Sequence, residues 1–198
     1  MIDLNGFDTP GIDTTPQYKE DDPGVSLAPN AEIVVPPGVP LSAAIVEIDN
    51  PLDAPFEILS VDTTGTDIIA TFDADYATLY LDGFDTPDNY ASVIRTLIYE
   101  NTDMIFEDTR FVDITIGNRD AASPTVFAYI AVTPTNDRPI LNLSEPFALN
   151  ALDKDDMVSV GTGVDEILGG TSHIPIFDLD PGALTGIALI GVDRSAGQ

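Results

Sequence analysis

Residues 110–132 read RFVDITIGNRDAASPTVFAYIAV, two apolar runs separated by a stretch rich in Gly, Asn, Asp, Ser and Pro. In the first run Val112, Ile114 and Ile116 fall on one face of an extended chain, and the residues between them fall on the other face. This period of two is typical of a strand with one buried face. The stretch therefore predicts two consecutive β-strands joined by a polar turn.

The same strand character recurs along the preceding part of the chain. The other apolar runs are bounded by Gly, Pro, Asp and Asn and cover residues 31–35, 42–48, 57–61, 67–72 and 76–81. Seven short β-rich segments at close spacing predict an all-β protein, most simply a β-sandwich, rather than alternating strands and helices.

One segment departs from this pattern. Between residues 88 and 100 the apolar positions follow the spacing of a helix face, namely Tyr90, Val93, Ile94, Leu97 and Ile98. Asp88 precedes the run and is a suitable N-cap residue. The segment predicts one short helix over residues 88–96 that continues into a strand over residues 97–100.

The charge of the chain is strongly negative. It carries 34 acidic and 7 basic residues, a net charge of −27, and the acids are 26 Asp against 8 Glu. Such a charge repels phosphate backbones and anionic lipid surfaces, which argues against a nucleic-acid partner and against direct membrane insertion. The excess of Asp over Glu favours turns and oxygen-ligand cation sites over helices.

The composition excludes disulfides and thiolate metal sites, because the chain has no cysteine.

The sequence also contains neither a membrane span nor an export signal. No apolar run has the roughly 18–20 residues of a membrane span, and Met1 is not followed by a basic and then apolar leader. If the protein is exported, we expect the export signal to lie outside this chain.

Four stretches together resemble a known family, the bacterial cadherin-like repeats of large secreted and surface adhesins. The first is the opening DLNG with YKEDDPGVSLAPNA, which resembles a first strand and an acidic first turn. The others are LYLDGFDTPDNYASVIRTLIYENT (79–102), RFVDITIGNRDAASPTVFAYIAVTPTNDRPIL (110–141) and FDLDPGALTGIALIGVDRSAGQ (177–198). The resemblance implies an immunoglobulin/cadherin-like β-sandwich with one short helix.

The resemblance also implies a domain boundary. The stretch TPTNDRPILNL (133–143) looks like the linker between two repeats. Residues 1–137 would then form one cadherin-like sandwich, and residues 138–198 the N-terminal part of a second, incomplete repeat. We expect about 60 residues to bury too little surface to complete a sandwich alone.

Calcium is the cofactor that the resemblance implies, because cadherin repeats bind it at their junctions. The resemblance places the family's calcium ligands at five positions of this chain. Glu20 is the ligand from the acidic first turn, and Asn136 and Asp137 are the linker ligands. Asp178 and Asp180 form the Asp-x-Asp pair of the next repeat. Asp153, Asp155 and Asp156 would serve a further junction. The chain departs from the family at VPPGVPL (35–41), which lacks an Asp-x-Asp pair, and at Arg138 beside the linker acids.

Other interpretations of the acidic and glycine-rich segments remain open at this stage. The acids also fit a solvated surface of the kind found in marine or halophilic proteins. VGTGVDEILGG (160–170) nearly matches the nonapeptide of calcium-binding β-rolls, but in a single copy. Asp73 and Asp75 are spaced to share a strand face, an arrangement that would suit a pair of glycosidase carboxylates.

Catalysis has little support in the sequence. The one histidine, His173, lies in a loop-like stretch, and the adjacent Ser172 cannot pair with it in an extended chain. The sequence thus predicts a non-enzymatic extracellular or cell-surface structural and adhesion module. Its partners would be neighbouring repeats of the same chain and a cell-surface or glycan ligand. The alternative is a carbohydrate- or ligand-binding accessory module that presents Tyr76, Tyr80 and Tyr129 on a sheet face.

Overall fold

A computed structural model describes residues 1–102, 108–141, 150, 161–167, 176–178, 180, 182–184 and 186. The chain divides into two compact units, Met1–Thr135 and Asn136–Gln198. The boundary predicted from the linker sequence lies after Asp137.

The described elements are mostly short strands. In chain order they are β1 (Ile2–Asp3), β2 (Gln17–Lys19), β3 (Val25–Ser26), β4 (Glu32–Ile33), β5 (Leu41–Ile48), β6 (Glu57–Ser60), β7 (Ile69–Asp73), β8 (Thr78–Asp85), α1 (Pro87–Arg95), β9 (Ile98–Asn101), β10 (Thr109–Gly117), β11 (Val126–Thr133), β12 (Ile140–Leu141), α2 (Val164–Ile167) and β13 (Ile176–Phe177).

The largest sheet of the first unit has six strands in the order β2-β11-β10-β5-β8-β7. The edge strand β2 runs parallel to β11, and every other pair is antiparallel. The alternation predicted for residues 110–116 is confirmed, because Val112, Ile114 and Ile116 are buried while Phe111 is 38% exposed. Burial of one face explains why the register of this sheet is fixed.

A smaller layer covers the buried face of that sheet. It consists of the three-stranded sheet β3-β9-β6 and the two-stranded sheet β1-β4. Side chains from both layers form one core, among them Ile2, Ile33, Leu59 and Tyr99 from the small sheets and Val46, Leu81 and Ile114 from the large one. The first unit is therefore an all-β sandwich, as the sequence predicts.

Helix α1 confirms the predicted element but corrects its cap. The N-cap is Thr86, whose hydroxyl accepts a hydrogen bond from the Asn89 amide at 3.2 Å, and Pro87 occupies the first helical position. The predicted cap, Asp88, lies in the first turn instead. Proline favours the first turn because its missing amide hydrogen is not needed there, so it moves the cap back to the residue before it.

The hairpin between β7 and β8 corrects two smaller predictions. The strand predicted from residue 76 begins at Thr78, so Tyr76 lies in the turn. Asp73 and Asp75 do not share a strand face, because Asp75 is also in the turn and its amide donates to Oδ1 of Asp73 at 3.0 Å. An Asp that accepts from the residue two positions later is ordinary turn chemistry.

In the described part of the second unit, strands β12 and β13 form an antiparallel pair that joins Ile140 to Phe177 and Leu141 to Ile176. Residues Val164–Ile167 form a single helical turn. A β-roll nonapeptide alternates turn and strand, so the helical turn does not fit that reading of residues 160–170.

Candidate functional site

The acidic turn, residues 20–24, follows β2 at the end of the large sheet where the chain leaves the first unit. Glu20 is only 7% exposed, and its Oε2 accepts a hydrogen bond from the Thr135 amide at 2.7 Å. The Thr135 hydroxyl lies 3.4 Å from the same oxygen and 3.1 Å from Oδ2 of Asp21. Two carboxylates of the turn therefore hold Thr135, the last residue of the first unit.

The backbone of this turn is held in an unusual conformation. Asp21 has a φ of 69°, in the left-handed region that residues other than glycine seldom adopt, and Gly24 has a φ of 90°. A left-handed Asp costs on the order of 1 kcal/mol and persists only where its surroundings fix it. The amide of Glu20 donates to the Thr133 carbonyl at 3.0 Å, which continues the pairing of β2 with β11 into the turn.

Tyr18, on β2, connects the acidic turn to the interior. Its hydroxyl lies 3.1 Å from the Asn101 carbonyl and 3.3 Å from the Asp22 carbonyl, and both carbonyls can accept a hydrogen bond from it. Burial raises the pKa of the Tyr18 hydroxyl, and the negative charges of Glu100, Asp22 and Asp21 raise it further. The phenol thus remains protonated and available as a donor at neutral pH.

Beneath Tyr18 lies a buried polar group that we call the Arg110 network, made of Arg110, Asp53, Glu57, Tyr99 and Asn101. The Arg110 guanidinium is fully buried and forms ion pairs with Asp53, at 2.7 Å, and with Glu57. The same two carboxylates accept from the Asn101 side-chain amide and the Tyr99 hydroxyl, each at 2.8 Å. One guanidinium is thereby shared between two carboxylates inside the sandwich.

Electrostatics in this network oppose ionisation of its tyrosine and favour the charged arginine. Burial raises the pKa of Tyr99, and the neighbouring Glu57 carboxylate adds to that effect. Burial alone would lower the pKa of Arg110, but the hydrogen bond and charge of Glu57 outweigh it, and the net pKa is raised. No local sequence pattern indicates this network, because Glu57 and Asp53 lie 53 and 57 positions from Arg110 along the chain.

The linker residues and the Asp-x-Asp pair lie in the second unit and contact one another there. The Asp137 amide donates to Oδ2 of Asp180 at 2.8 Å, and the Asp180 amide donates to Oδ1 of Asp178 at 3.0 Å. The antiparallel pairing of β12 with β13 explains the arrangement, because it returns Asp178 and Asp180 to the linker side of β12. The Asn136 side-chain amide donates to the Asp137 carbonyl at 2.7 Å.

The five predicted calcium ligands are therefore divided between the units. Glu20 belongs to the first unit, and Asn136, Asp137, Asp178 and Asp180 belong to the second. Within the described residues no three side chains of His, Cys, Asp or Glu are grouped closely enough to hold a metal ion. The predicted ligands Asp153, Asp155 and Asp156, and likewise Ser172 and His173, lie outside the described residues.

The tyrosines considered for carbohydrate binding are not buried. Tyr76 is 70% exposed and Tyr80 is 37% exposed. Tyr129 is half-buried on β11, where its ring stacks on Phe127 and meets the edge of Phe111, with centroid distances of 5.8 Å in both pairs. Tyr80 and Tyr129 face outward from the large sheet, whereas Tyr76 projects from the β7–β8 turn.

Comparison of the chain with models of known protein families, with curated protein sequences and with solved structures found no match. None of the helices in the described residues is long and apolar enough to span a membrane.

Proposed function

We propose that this chain is a non-enzymatic structural and adhesion module of an extracellular or cell-surface protein, a cadherin-like sandwich whose junction with the next repeat is stiffened by calcium. The observation that carries the proposal is the bond between Glu20 and Thr135. A buried carboxylate in the first turn of the sandwich holds Thr135, the last residue of the first unit. Fixing the start of a linker is what a module needs in order to transmit force or orientation to its neighbour.

The proposed ligands fit calcium chemically. Glu20, Asp137, Asp178 and Asp180 provide carboxylate oxygens and Asn136 an amide oxygen, the hard donors that Ca²⁺ takes in sets of six to eight. Asp178 and Asp180 each use one oxygen in the bonds described above, which leaves a second oxygen on each that no bond within the described residues engages. Bound calcium would neutralise these carboxylates, whose mutual repulsion otherwise opposes their approach.

The chain's own residues prepare both parts of this proposed site. In the first unit, Glu20 and Asp21 fix Thr135, and Tyr18 ties the acidic turn to the Arg110 network in the core. In the second unit, Asp178 orders the backbone of Asp180, which in turn holds the amide of Asp137. Each part is thus positioned before any cation arrives, which reduces the entropy that binding must overcome.

The partners of such a module are the neighbouring repeats of the same chain and a cell-surface or glycan ligand. The net charge of −27 supports this assignment over nucleic acid or an anionic membrane, because both would be repelled. The same charge supports a role for divalent cations, which screen and bridge carboxylates.

Thermal unfolding in EDTA, calcium and magnesium at matched ionic strength tests the proposal. A site specific for calcium stabilises the chain by about 2.7 kcal/mol when free calcium is about 100 times its dissociation constant, and magnesium does not replace it. The double variant Asp178→Asn with Asp180→Asn should lose this gain. The charge-matched control Asp73→Asn with Asp75→Asn, at the end of β7 and in the turn after it, should keep it. Equal midpoints in all three solutions would refute the calcium junction.

A second candidate function, carbohydrate binding, is favoured by the exposed tyrosines. Sugar sites use aromatic rings that stack on the apolar face of the sugar ring, and Tyr80 and Tyr129 lie on the outward face of one sheet. A glycan array probed with the labelled chain would show binding that Tyr80→Ala or Tyr129→Ala removes. An array without signal above background would dispose of this candidate.

A further inference from the structure

A cleft of about 690 Å³ opens in the first unit between two chain segments. One wall is formed by residues 33–40, which lead from β4 to β5, and the other by residues 84–88, which lead from β8 into α1. The volume lies within the range of roughly 300–1,000 Å³ that is usual for small-molecule sites. We call it the proline cleft, because Pro36, Pro37, Pro40 and Pro87 line it.

The first wall is rigid. Val39 donates its amide to the Pro36 carbonyl at 3.2 Å, and Gly38 has a φ of 81°. Pro37 and Gly38 thus occupy the two central positions that a type II turn favours. Val34 is fixed on both sides of its backbone, since its carbonyl accepts from the Met1 amino group at 2.7 Å and its amide donates to the Met1 carbonyl at 2.9 Å.

The second wall is fixed by Asp85. Its carboxylate accepts from the Asp67 amide at 2.8 Å, from the Thr86 amide at 2.7 Å and from the Asn89 side chain at 2.6 Å. The bonds from Asp67 and Thr86 lower the pKa of the Asp85 carboxyl, so the group is ionised at neutral pH. Because Asp85 also anchors the residues around the start of α1, the wall is ordered before any ligand binds.

The lining is apolar with acidic charges. Val34 and Phe84 are large apolar side chains on opposite walls and are 55% and 58% exposed. The charged residues described around the cleft are Asp85 and Asp88, and no Lys or Arg lines it. Outside this lining, the Arg119 guanidinium lies 5.4 Å from the centroid of the Phe84 ring, so the ring already makes one cation–π contact.

These features select the charge of the occupant. Anions are repelled by both carboxylates and by the net charge of −27, whereas an apolar body gains by covering Val34, Phe84 and the proline rings. We propose that the proline cleft binds a small organic cation, with its apolar body between Val34 and Phe84 and its ammonium group beside Asp85 and Asp88.

The cleft is separate from the proposed calcium junction. The two sites lie at opposite ends of the large sheet. The cleft is at the end where β5 begins, because Leu41 directly follows its first wall. The acidic turn is at the other end, where β5 finishes at Ile48 beside the start of β10 and the last residues of β11. A variant that loses cation binding in the cleft should therefore keep its response to calcium, and the reverse should also hold. Either proposal can be refuted without the other.

The test compares three probes of similar size that differ in charge: benzyltrimethylammonium, benzyl alcohol and toluenesulfonate. Nuclear magnetic resonance titration of the isotope-labelled chain should show amide shifts along residues 33–40 and 84–88 with the cation. We expect affinity for the neutral probe to be at least about tenfold weaker and binding of the anion to be undetectable, since only the cation is attracted to the carboxylates of Asp85 and Asp88.

Matched variants assign the binding to the cleft. Phe84→Ala and Asp88→Asn should each weaken the binding of benzyltrimethylammonium by about fivefold to tenfold. Phe56→Ala, which also truncates a partly exposed phenylalanine, and Asp75→Asn, which removes one exposed carboxylate elsewhere, should leave it unchanged. Sedimentation of the same samples reports their oligomeric state.

Three results would overturn the proposal. Equal affinity for the neutral or anionic probe would remove the role of the carboxylates. Unchanged affinity in Phe84→Ala or Asp88→Asn would place the cation elsewhere. A change of oligomeric state in Phe84→Ala, without any cation binding by the unmodified chain, would assign the cleft to a second copy of this chain instead.

Discussion

The Arg110 guanidinium lies 2.7 Å from the carboxylate of Asp53, and the two side chains are 0% and 3% exposed. Glu57, also fully buried, binds the same guanidinium. A chain with 7 basic residues has thus placed one of them inside the core of its first unit. Burying an ion pair adds little net stability compared with apolar residues of similar size, so the strong effect should appear when one partner is removed.

Replacing Arg110 with methionine should destabilise the first unit by about 3–5 kcal/mol, because Asp53 and Glu57 would be left buried without their cation. Urea unfolding, monitored by the circular dichroism of the tyrosines, measures this loss of stability in the first unit, since all six tyrosines lie within residues 1–135. Arg119→Met, on an exposed turn, should cost less than about 1 kcal/mol.

A triple variant separates the ion pair from the packing of its side chains. Arg110→Met combined with Asp53→Leu and Glu57→Leu removes all three charges together and should recover most of the stability lost in Arg110→Met. If the triple variant is no more stable than the single one, the loss arises from packing or from the bonds to Tyr99 and Asn101 rather than from unpaired charge.

The corrected helix cap gives a second prediction. Thr86→Ala removes the acceptor of the Asn89 amide and should lower the free energy of unfolding by about 1 kcal/mol. Asp88→Ala loses only the interaction of a first-turn carboxylate with the helix dipole, about 0.3–1 kcal/mol. Chemical denaturation measures the free energy of unfolding of both variants. A larger loss in Asp88→Ala than in Thr86→Ala would show that Asp88 is the N-cap residue.

The sandwich was predictable from sequence because each strand carries its own signal. The alternation of Val112, Ile114 and Ile116 and the helical spacing of apolar residues over 90–98 are local patterns, set by which side chains face the core. Boundaries were less predictable, because Pro87 fixes the start of α1 more strongly than the acidic residue that follows it.

The Arg110 network was not predictable because it depends on tertiary pairing. Asp53, Glu57 and Asn101 look like turn or surface residues in sequence, and Arg110 looks like a charged residue at the start of a strand. Only the antiparallel pairing of β6 with β9, and their packing against β10, brings them together. The bond from Glu20 to Thr135 spans 115 positions and is equally invisible to a local pattern.

Asp113 lies among like charges on the outer face of the large sheet, and we expect their repulsion to lower the stability of the first unit. It lies opposite Glu47 in the pairing of β10 with β5. Burial raises the pKa of the Asp113 carboxyl, and the charges of Asp49 and Glu47 raise it further. A carboxyl with a raised folded-state pKa contributes stability below its unfolded value of about 3.9, and this contribution is lost as pH rises through the folded-state pKa.

Asp113→Asn should therefore stabilise the first unit at neutral pH by roughly 0.2–1 kcal/mol, the usual cost of like charges opposite one another in a sheet. The difference should shrink towards zero at about pH 3, well below the unfolded-state value of about 3.9, because Asp113 is then protonated in both states. Urea unfolding at both pH values checks this. Asp75→Asn changes the net charge equally, so an identical gain in that variant would show a general charge effect.

Glu20 allows its structural role to be separated from its proposed role as a calcium ligand. Glu20→Gln retains an oxygen that can accept from the Thr135 amide but loses the negative charge. In EDTA we expect a loss of about 1 kcal/mol, the difference between a charged and a neutral acceptor. In calcium we expect the gain in the thermal midpoint to fall by at least half, whereas Glu47→Gln, exposed on β5, should keep the full gain. If Glu20→Gln keeps the full gain while Asp178→Asn with Asp180→Asn abolishes it, calcium binds in the second unit alone, and Glu20 serves only to hold Thr135.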